Sequence, residues 1–334
     1  MSKSVASVVT PLLALLITAG LPASPAGAAQ PLPAAESARS FPSVLNLPNG
    51  FSPEGIAIDR QVAYTGSLAN GAIRRIDLKT GVSTQLAPPP GPGRIAVGMD
   101  VDRFGRLWVA GGGHGGPFPG VVSSFRVYDT KTGRKLADVD VPNANFINDV
   151  KLTRDAAWFT DSANPAGALI RVTIERDGEF GAPQKVALGG DWTPGGLINA
   201  NGIEATPDGK GLIVGQTMAA GGGAALYVLP ADSKGTANAR QIRLKGDLES
   251  ADGLVRIGQS LYVVTHHGVV KVKLSTDQAA GQVLSTTEVP GAAFASTADR
   301  FGPRLYVVDA NLGDDLSNVG NPAAAFKVVG IRLP

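Results

Sequence analysis

A short segment that returns six times constrains this chain more than any other feature of its sequence. Its first copy reads Glu54-Gly55-Ile56-Ala57-Ile58-Asp59, followed by a turn and the apolar run Val62-Ala63-Tyr64-Thr65. The other copies begin at Val97, Asn148, Asn201, Asp252 and Phe294, giving spacings of 43, 51, 53, 51 and 42 residues. A unit of that length, made of short strands, cannot bury its apolar faces alone and must stack on its neighbours. That is the pattern of a β-propeller blade. The expected fold is all-β: a six-bladed β-propeller with four-stranded antiparallel blades.

The strands of the first repeat are expected at 55–59, 62–65, 72–77 and 82–86, the last two joined by the turn Lys79-Thr80-Gly81. The second repeat copies that turn as Lys131-Thr132-Gly133. Runs of β-branched and aromatic residues, broken by Gly, Asp and Asn, read as strands throughout. No stretch has the period of a long amphipathic helix. Phe41 to Leu47 and Phe326 to Leu333 both alternate in polarity. Pairing these two segments closes the ring and hides edges that would otherwise be open to aggregation. Trp108, Trp158 and Phe159 fall inside second strands and are expected between blades, in the core.

The chain opens with Lys3, an uncharged run over 4–21 and the small-residue segment Ala26-Gly27-Ala28. Pro11, Gly20 and Pro22 interrupt the run, so it reads as a secretory signal over 1–28 rather than a membrane span. A Pro- and Ala-rich leader follows over 29–40, and a single propeller domain over 41–334. The expectation is an exported monomer, extracellular or periplasmic, free of the membrane after cleavage. With no Cys there is no disulfide framework, so packing and strand pairing must hold the domain. The 30 Lys and Arg nearly balance the 28 Asp and Glu, and no basic cluster is interleaved with aromatics, which argues against nucleic-acid binding. There is no phosphate loop, paired-His metal motif or nucleophile elbow.

The residue that opens each repeat heads an innermost strand, so six such residues are expected to face one point. Four of them are oxygen donors: Glu54, Asn148, Asn201 and Asp252. Two ionised carboxylates meeting without a cation repel, and a divalent cation removes that conflict. An all-oxygen set suits Ca²⁺ first, with Mg²⁺, Mn²⁺ or Zn²⁺ as alternatives. Four protein donors leave room for water or substrate. Against this, Asn-Gly and Asp-Gly are also ordinary turn formers, and Glu54 after Pro53 could be a solvated loop carboxylate.

The segments Ser52-Pro53-Glu54-Gly55, Phe146-Ile147-Asn148-Asp149, Asn199-Ala200-Asn201-Gly202 and Ser250-Ala251-Asp252-Gly253 resemble the four metal-ligand motifs of the senescence-marker-protein/gluconolactonase (regucalcin-like) family. The resemblance spans nearly the whole chain from about Pro48. It implies a six-bladed propeller with one catalytic divalent cation, hydrolysis of lactones, and esterase and organophosphate-hydrolase relatives. It also implies Glu54, Asn148, Asn201 and Asp252 as ligands, with Asp252 doubling as base or nucleophile. Sugar-lactone hydrolases of that family usually carry an Arg where this chain has Phe146. A phenyl ring there points to a more apolar lactone or ester.

The chemistry expected is metal-assisted ester hydrolysis, in which the cation polarises the carbonyl and Asp252 takes a proton from water or attacks directly. Asp149, next to a ligand, either orients water or substrate or is a residue bonded to backbone. The ends of the second strands should form the pocket rim, with Ser67, His114, Asp161, Gln216, His266, His267 and Asp309. His114 sits in the glycine run 111–116, which reads as a flexible lid, and His114 or His266 could act as acid or base. Trp192 is a candidate for the pocket wall. The competing reading is a non-catalytic propeller whose ion is structural and whose rim binds a protein or glycan.

Overall fold

The β-branched runs of the sequence become strands because each alternates a buried and an exposed face, and the glycines and aspartates between them turn the chain back. The computed structural model describes residues 41–333, and the expected signal peptide and leader lie outside them. Among the described residues the chain is all-β and mostly antiparallel, its one helical segment a short 3₁₀ turn at Asp314–Leu316. Among the described residues no helix is long and apolar enough to cross a membrane.

The strands follow the repeats. After β1 (Val44–Leu47) come β2 (Pro53–Asp59), β3 (Val62–Ser67), β4 (Ile73–Asp77) and β5 (Ser83–Ala87), which pair in that order. The second repeat gives β6 (Met99–Val101), β7 (Arg106–Ala110), β8 (Ser124–Asp129) and β9 (Lys135–Asp140), again in order. The third gives β10 (Ile147–Leu152), β11 (Ala156–Asp161), β12 (Ala168–Thr173) and β13 (Gln184–Gly190). The fourth gives β14 (Ala200–Ala205), β15 (Gly211–Gln216), β16 (Ala225–Pro230) and β17 (Thr236–Gln241). These two repeats fuse into one eight-stranded sheet because β13 pairs parallel with β17, Ala187 opposite Thr236. A short β18 (Arg243–Lys245) lies parallel to β22 (Ala280–Glu288) at the edge of the fifth repeat, which also holds β19 (Leu254–Ile257), β20 (Ser260–Thr265) and β21 (Gly268–Leu274). The last sheet runs β1, β25 (Phe326–Arg332), β24 (Arg304–Asp309), β23 (Ala295–Phe301), so its edge strand comes from the start of the described chain, with Val44 opposite Val329.

The two Lys-Thr-Gly turns share a mechanism. Asp77 Oδ1 accepts the N–H groups of Lys79 and Thr80 at 2.9 and 2.8 Å, and Gly81 takes a φ of 74°. Asp129 repeats this on Lys131 and Thr132 at 3.1 and 2.7 Å, with Gly133 at 72°. An aspartate two to three residues ahead satisfies the turn's free donors, and glycine alone enters the left-handed region without strain.

The core lies between neighbouring sheets. Trp108 from β7 stacks on Phe125 from β8 and tilts against Phe159 from β11, with centroids 5.8 and 6.4 Å apart. Trp158 faces the opposite way, into the cluster shared with β14 and β15. All three aromatics predicted for the core are fully buried. Each such side chain removed from water contributes ~1.5–3 kcal/mol, so inter-sheet packing holds these cysteine-free sheets side by side.

Candidate active site

The first strand of most repeats does not pair evenly with the second. The register slips between Pro53 and Ile56 in β2, Ile147 and Val150 in β10, Ala200 and Ile203 in β14, and Ala295 and Ala298 in β23. A bulge of this kind bends the strand and re-aims the side chain inside it. By register, Glu54, Asn148, Asn201 and Ser296 hold equivalent places. Val97 and Asp252 join them through matching backbone bonds: Val97 N to Ala110 O at 2.9 Å, and Asp252 N to Val264 O at 3.0 Å.

This corrects the sixth repeat, whose opening residue is Ser296 and not Phe294. Asp309 Oδ1 accepts the N–H of Phe294 at 3.1 Å, just as Asp161 Oδ1 accepts that of Phe146 at 2.8 Å. Phe294 therefore belongs to the column of Phe146. Asp299 resembles Asp59 and Asp102, the acids that close the first two copies, and counting back from it gives Phe294, two residues early.

The six opening residues, Glu54, Val97, Asn148, Asn201, Asp252 and Ser296, all line one cavity of about 400 Å³. Their strands β2, β6, β10, β14, β19 and β23 neighbour one another in that order, and β23 neighbours β2. A larger hollow of about 780 Å³ beside Asp208 and Arg240 contains no opening residue. Asn148, Asn201 and Asp252 are 6, 5 and 8% exposed and form a hydrogen-bonded arc. Asn148 Nδ2 donates to Asn201 Oδ1 at 2.8 Å, and Asn201 Nδ2 donates to Asp252 Oδ1 at 2.9 Å.

Each member of the arc has a second partner from the end of the second strand of its own repeat. Asn148 Nδ2 donates to Ser162 Oγ and Asn201 Nδ2 to Thr217 Oγ1, both at 2.9 Å. Asp252 Oδ2 lies 4.0 Å from His266 Nε2. The matching place in the first repeat is Leu68, which offers nothing to Glu54. Glu54 Oε2 is buried with no hydrogen-bond partner.

Such burial disfavours charge. Desolvation first, then the field of Asp149, pushes Asp252 up to about 8. Desolvation, Asp252 and Asp149 together hold Glu54 well above the usual carboxylate range. Burial lowers His266, which keeps its imidazole neutral at neutral pH. An orphaned carboxylate oxygen, a second carboxylate and two carboxamides form a hard donor set with too much negative charge for its own partners, which fits a divalent cation. Among the described residues no three His, Cys, Asp or Glu side chains converge as a metal cluster, so the donor set depends on the two carboxamides.

The glycines that follow Glu54 and Asn201 serve close approach rather than turns. Neither takes a positive φ. A Cβ on Gly55 would lie 2.1 Å from Val97 O, and one on Gly202 would lie 2.0 Å from Asp252 O. Neighbouring first strands thus touch backbone to side-chain position, which only glycine allows. Asp149 occupies this column in the third repeat. Its carboxylate accepts the N–H groups of Val150 and Ile203 at 2.8 and 3.2 Å, and burial pushes it up to about 7. It is bonded to backbone and does not line the main cavity, but shares a small void with Glu54, Asn201 and Asp252.

Of the other sequence-derived candidates, Phe146 and His266 line the cavity, whereas His114, Gln216 and Trp192 do not. Trp192 packs on Tyr227 with centroids 4.6 Å apart, inside a core cluster. Gln216 is fully buried and donates to Thr193 O and Asn199 Oδ1 at 2.9 and 3.0 Å. His114 Nδ1 lies 3.0 Å from Ser123 Oγ. The glycine run around it is tied down: a Cβ on Gly113 would meet Asn145 O at 2.1 Å, and one on Gly116 would meet the Phe146 ring at 2.1 Å. Its glycines allow tight packing onto 145–146, which is the reverse of a loose lid. Ser67, Asp161 and Asp309 are also buried and brace backbone. Sequence reading missed Phe118, stacked on Phe146 at 6.3 Å, and the cavity-lining Leu312 and Leu316. It also missed Ser162 and Thr217, although both stand in one repeat column directly after β11 and β15.

Three residues beyond the opening position, the same strands carry a second layer: Asp100, Lys151, Glu204 and Asp299, with Ala57 and Val255 in the remaining places. Lys151 Nζ lies 3.0 Å from Glu204 Oε1 and 3.8 Å from Asp100 Oδ2, and it feels the charge of Asp299. Each acid also accepts an N–H from the next first strand: Asp100 from Leu152 at 3.0 Å, Glu204 from Arg256 at 3.4 Å, Asp299 from Ile58 at 2.6 Å.

No family model and no curated protein matches the chain. Solved structures do. The major Malassezia sympodialis allergen Mala s 1 superposes with a TM-score of 0.67 at 17% identity, covering 87% of this chain and 96% of the allergen. A gluconolactonase from Xanthomonas campestris gives 0.58 at 18% identity, over 86% of this chain and 89% of its own. Regucalcin from Agrobacterium tumefaciens, a calcium-binding protein, gives 0.57 at 19% identity, over 88 and 96%. The likeness is one of fold. It extends along nearly the whole length of each of these proteins.

Proposed function

We propose that this chain is a six-bladed β-propeller hydrolase that opens an apolar lactone or cleaves a related ester, using one divalent cation held by Glu54, Asn148, Asn201 and Asp252. One observation carries the reading: six opening residues from six repeats line a single cavity, and among them Glu54 Oε2 is buried without a donor. The order of first strands, and the pairing of β1 with β25, support the closed six-bladed ring. The gluconolactonase and the calcium-binding regucalcin that share the fold lend support to the activity and the ion.

When bound, the cation would polarise the substrate carbonyl and offset the charge of the two acids. The chain's own residues would do the rest. Phe118, Phe146, Phe294, Ile198 and Met218 line the cavity, so an apolar acyl or ring portion is favoured and bulk water is kept from it. Asp252 Oδ2, unlike Oδ1, receives no N–H from Asn201 and is the oxygen that takes a proton from the attacking water. The water oxygen bonds to the acyl carbon, the acyl C–O bond breaks, and the proton passes from Asp252 Oδ2 to the departing oxygen. In a lactone this yields the hydroxy acid. A cavity of about 400 Å³ directly against the ligands favours this over a purely structural ion, which would be capped by protein. We also propose export through a signal over 1–28 and action as a monomer.

The test is hydrolysis of a panel of aliphatic lactones and aryl esters, with and without chelator. Turnover that chelation stops and added Ca²⁺ restores is the expected result. No turnover of any member, by a folded protein loaded with Ca²⁺, Mg²⁺, Mn²⁺ or Zn²⁺, would leave the non-catalytic reading in its place.

A further inference from the structure

Ser162 and Thr217 stand behind the two carboxamides of the arc, and each has one proton to give. Ser162 Oγ donates it to Ala200 O at 2.5 Å, and Thr217 Oγ1 donates it to Ala251 O at 2.6 Å. A backbone carbonyl can only accept, so these protons are committed. Each hydroxyl can then offer only lone pairs to the carboxamide beside it. Asn148 and Asn201 must therefore turn their nitrogens to Ser162 and Thr217, at 2.9 Å each. In a planar carboxamide the oxygen then faces away from the hydroxyl. The choice between the two ends of each amide follows from proton counting along Asn148–Ser162–Ala200 and Asn201–Thr217–Ala251, not from atom labels.

The same hydroxyls link consecutive repeats. Ala200 and Ala251 directly precede Asn201 and Asp252, so each bond also fixes the backbone from which the next member of the arc projects. The third and fourth repeats, which carry the Asn residues, are the ones with a hydroxyl in this column. The matching residue in the first repeat is Leu68, in the fifth His266 and in the sixth Ala310.

We infer that Ser162 and Thr217 are positioning residues that set the polarity of the site, holding both carboxamide oxygens toward the cation and both nitrogens away from it. The inference rests on the cation reading above and assigns a role to residues outside the ligand set. Without the hydroxyl an amide can flip and present N–H to the ion, which repels it. Partners that orient metal ligands are typically worth ~10–100-fold in affinity.

The experiment is calorimetric titration of Ca²⁺ into wild type, S162A, T217V, S162T and T217S, together with thermal unfolding of each in chelator and in saturating Ca²⁺. Thr217→Val keeps the shape of the side chain and loses only its hydrogen-bonding capacity. S162A and T217V are expected to bind Ca²⁺ ~10–100-fold more weakly and to lose most of the Ca²⁺-dependent rise in Tm, while S162T and T217S stay near wild type. A merely structural role would instead lower Tm equally with and without Ca²⁺ and leave affinity unchanged, and that result overturns the inference. So does weak binding by T217S, which retains the hydroxyl. Wild type that binds no divalent cation overturns the cation reading itself, whereas wild type that binds with S162A and T217V alike overturns only the role given to the hydroxyls.

Discussion

At the level of the opening residues, Glu54 and Asp252 line one cavity with two carboxamides; three residues further along the same strands, Asp100, Glu204 and Asp299 surround an ammonium. Both layers are built by one backbone repeat, and both gather acids from separate parts of the chain. They differ in how charge is balanced. In the second layer Lys151 supplies one counter-charge shared by three acids, and each carboxylate also holds an N–H of the next strand. In the first layer Glu54 Oε2 has no donor and Asp252 has one amide bond and a distant imidazole. Acids given a cation and backbone donors from within stabilise the fold. Acids left unbalanced, in a cavity open to small molecules, cost stability unless something from outside completes them, and that asymmetry marks the site.

The largest effect that could break the comparison is on turnover. Asp252→Asn preserves shape and the bond from Asn201 but removes the proton acceptor, and lactone or ester hydrolysis is expected to fall roughly 10²–10⁴-fold with the fold retained by circular dichroism. Unchanged turnover would mean that the first layer is no more a reactive centre than the second. Lys151→Met tests the other half, because it takes the cation away from the second layer's three acids. Lys151 keeps 27% of its side chain in water, so the loss in urea unfolding should be about 2–3 kcal/mol, below that of a fully buried pair. A Lys151→Met protein as stable as wild type would show that internal balance does not distinguish the layers. Adding Ca²⁺ sharpens the contrast from outside: at a hundred times its Kd it should add about 2.7 kcal/mol to the unfolding free energy of wild type. That increment should disappear in Glu54→Gln and persist in Asp299→Asn.

How far the two layers could be read in advance depended on the bulge. The repeat column placed Glu54, Val97, Asn148, Asn201 and Asp252 on the cavity, because a residue at the mouth of an innermost strand points inward whatever follows it. The second layer was not anticipated. A regular strand puts every second residue on one face, but the extra residue between Ile147 and Val150 delays the return by one, so Lys151 rather than Val150 faces the acids. The same slip hides the opening residue of the sixth repeat, because Asp299 aligns with the acids that end other copies and so points to Phe294 instead of Ser296. Trp192 and His114 sit in connections and Gln216 ends β15, and where such side chains turn depends on packing that spacing does not encode. Trp192 turned to Tyr227, and Gln216 to the backbone of the loop before Asn201. Ser162 and Thr217 were readable in principle, since both follow the second strand at one place in the repeat. Their single protons acquire meaning only once Ala200 O and Ala251 O are seen beside them.

The remaining prediction concerns pH and isolates the second layer. Burial pushes Asp299 up to about 7 against the pull of Lys151 and of the N–H groups of Arg300 and Ile58, with Asp100 adding to the push. An acid whose pKa is higher in the folded than in the unfolded chain binds more protons when folded. Its contribution to stability is therefore greatest below the unfolded value, near 4, and declines as pH rises toward 7, levelling off above that. One such group gives a slope of at most about 1.4 kcal/mol per pH unit. In chelator, the unfolding free energy of wild type should fall between pH 4 and 7. Asp299→Asn, which keeps an oxygen for the Ile58 N–H but cannot titrate, should show a shallower fall over the same range. Parallel profiles would mean that Asp299 is ionised throughout, held so by Lys151 and its backbone donors against the burial.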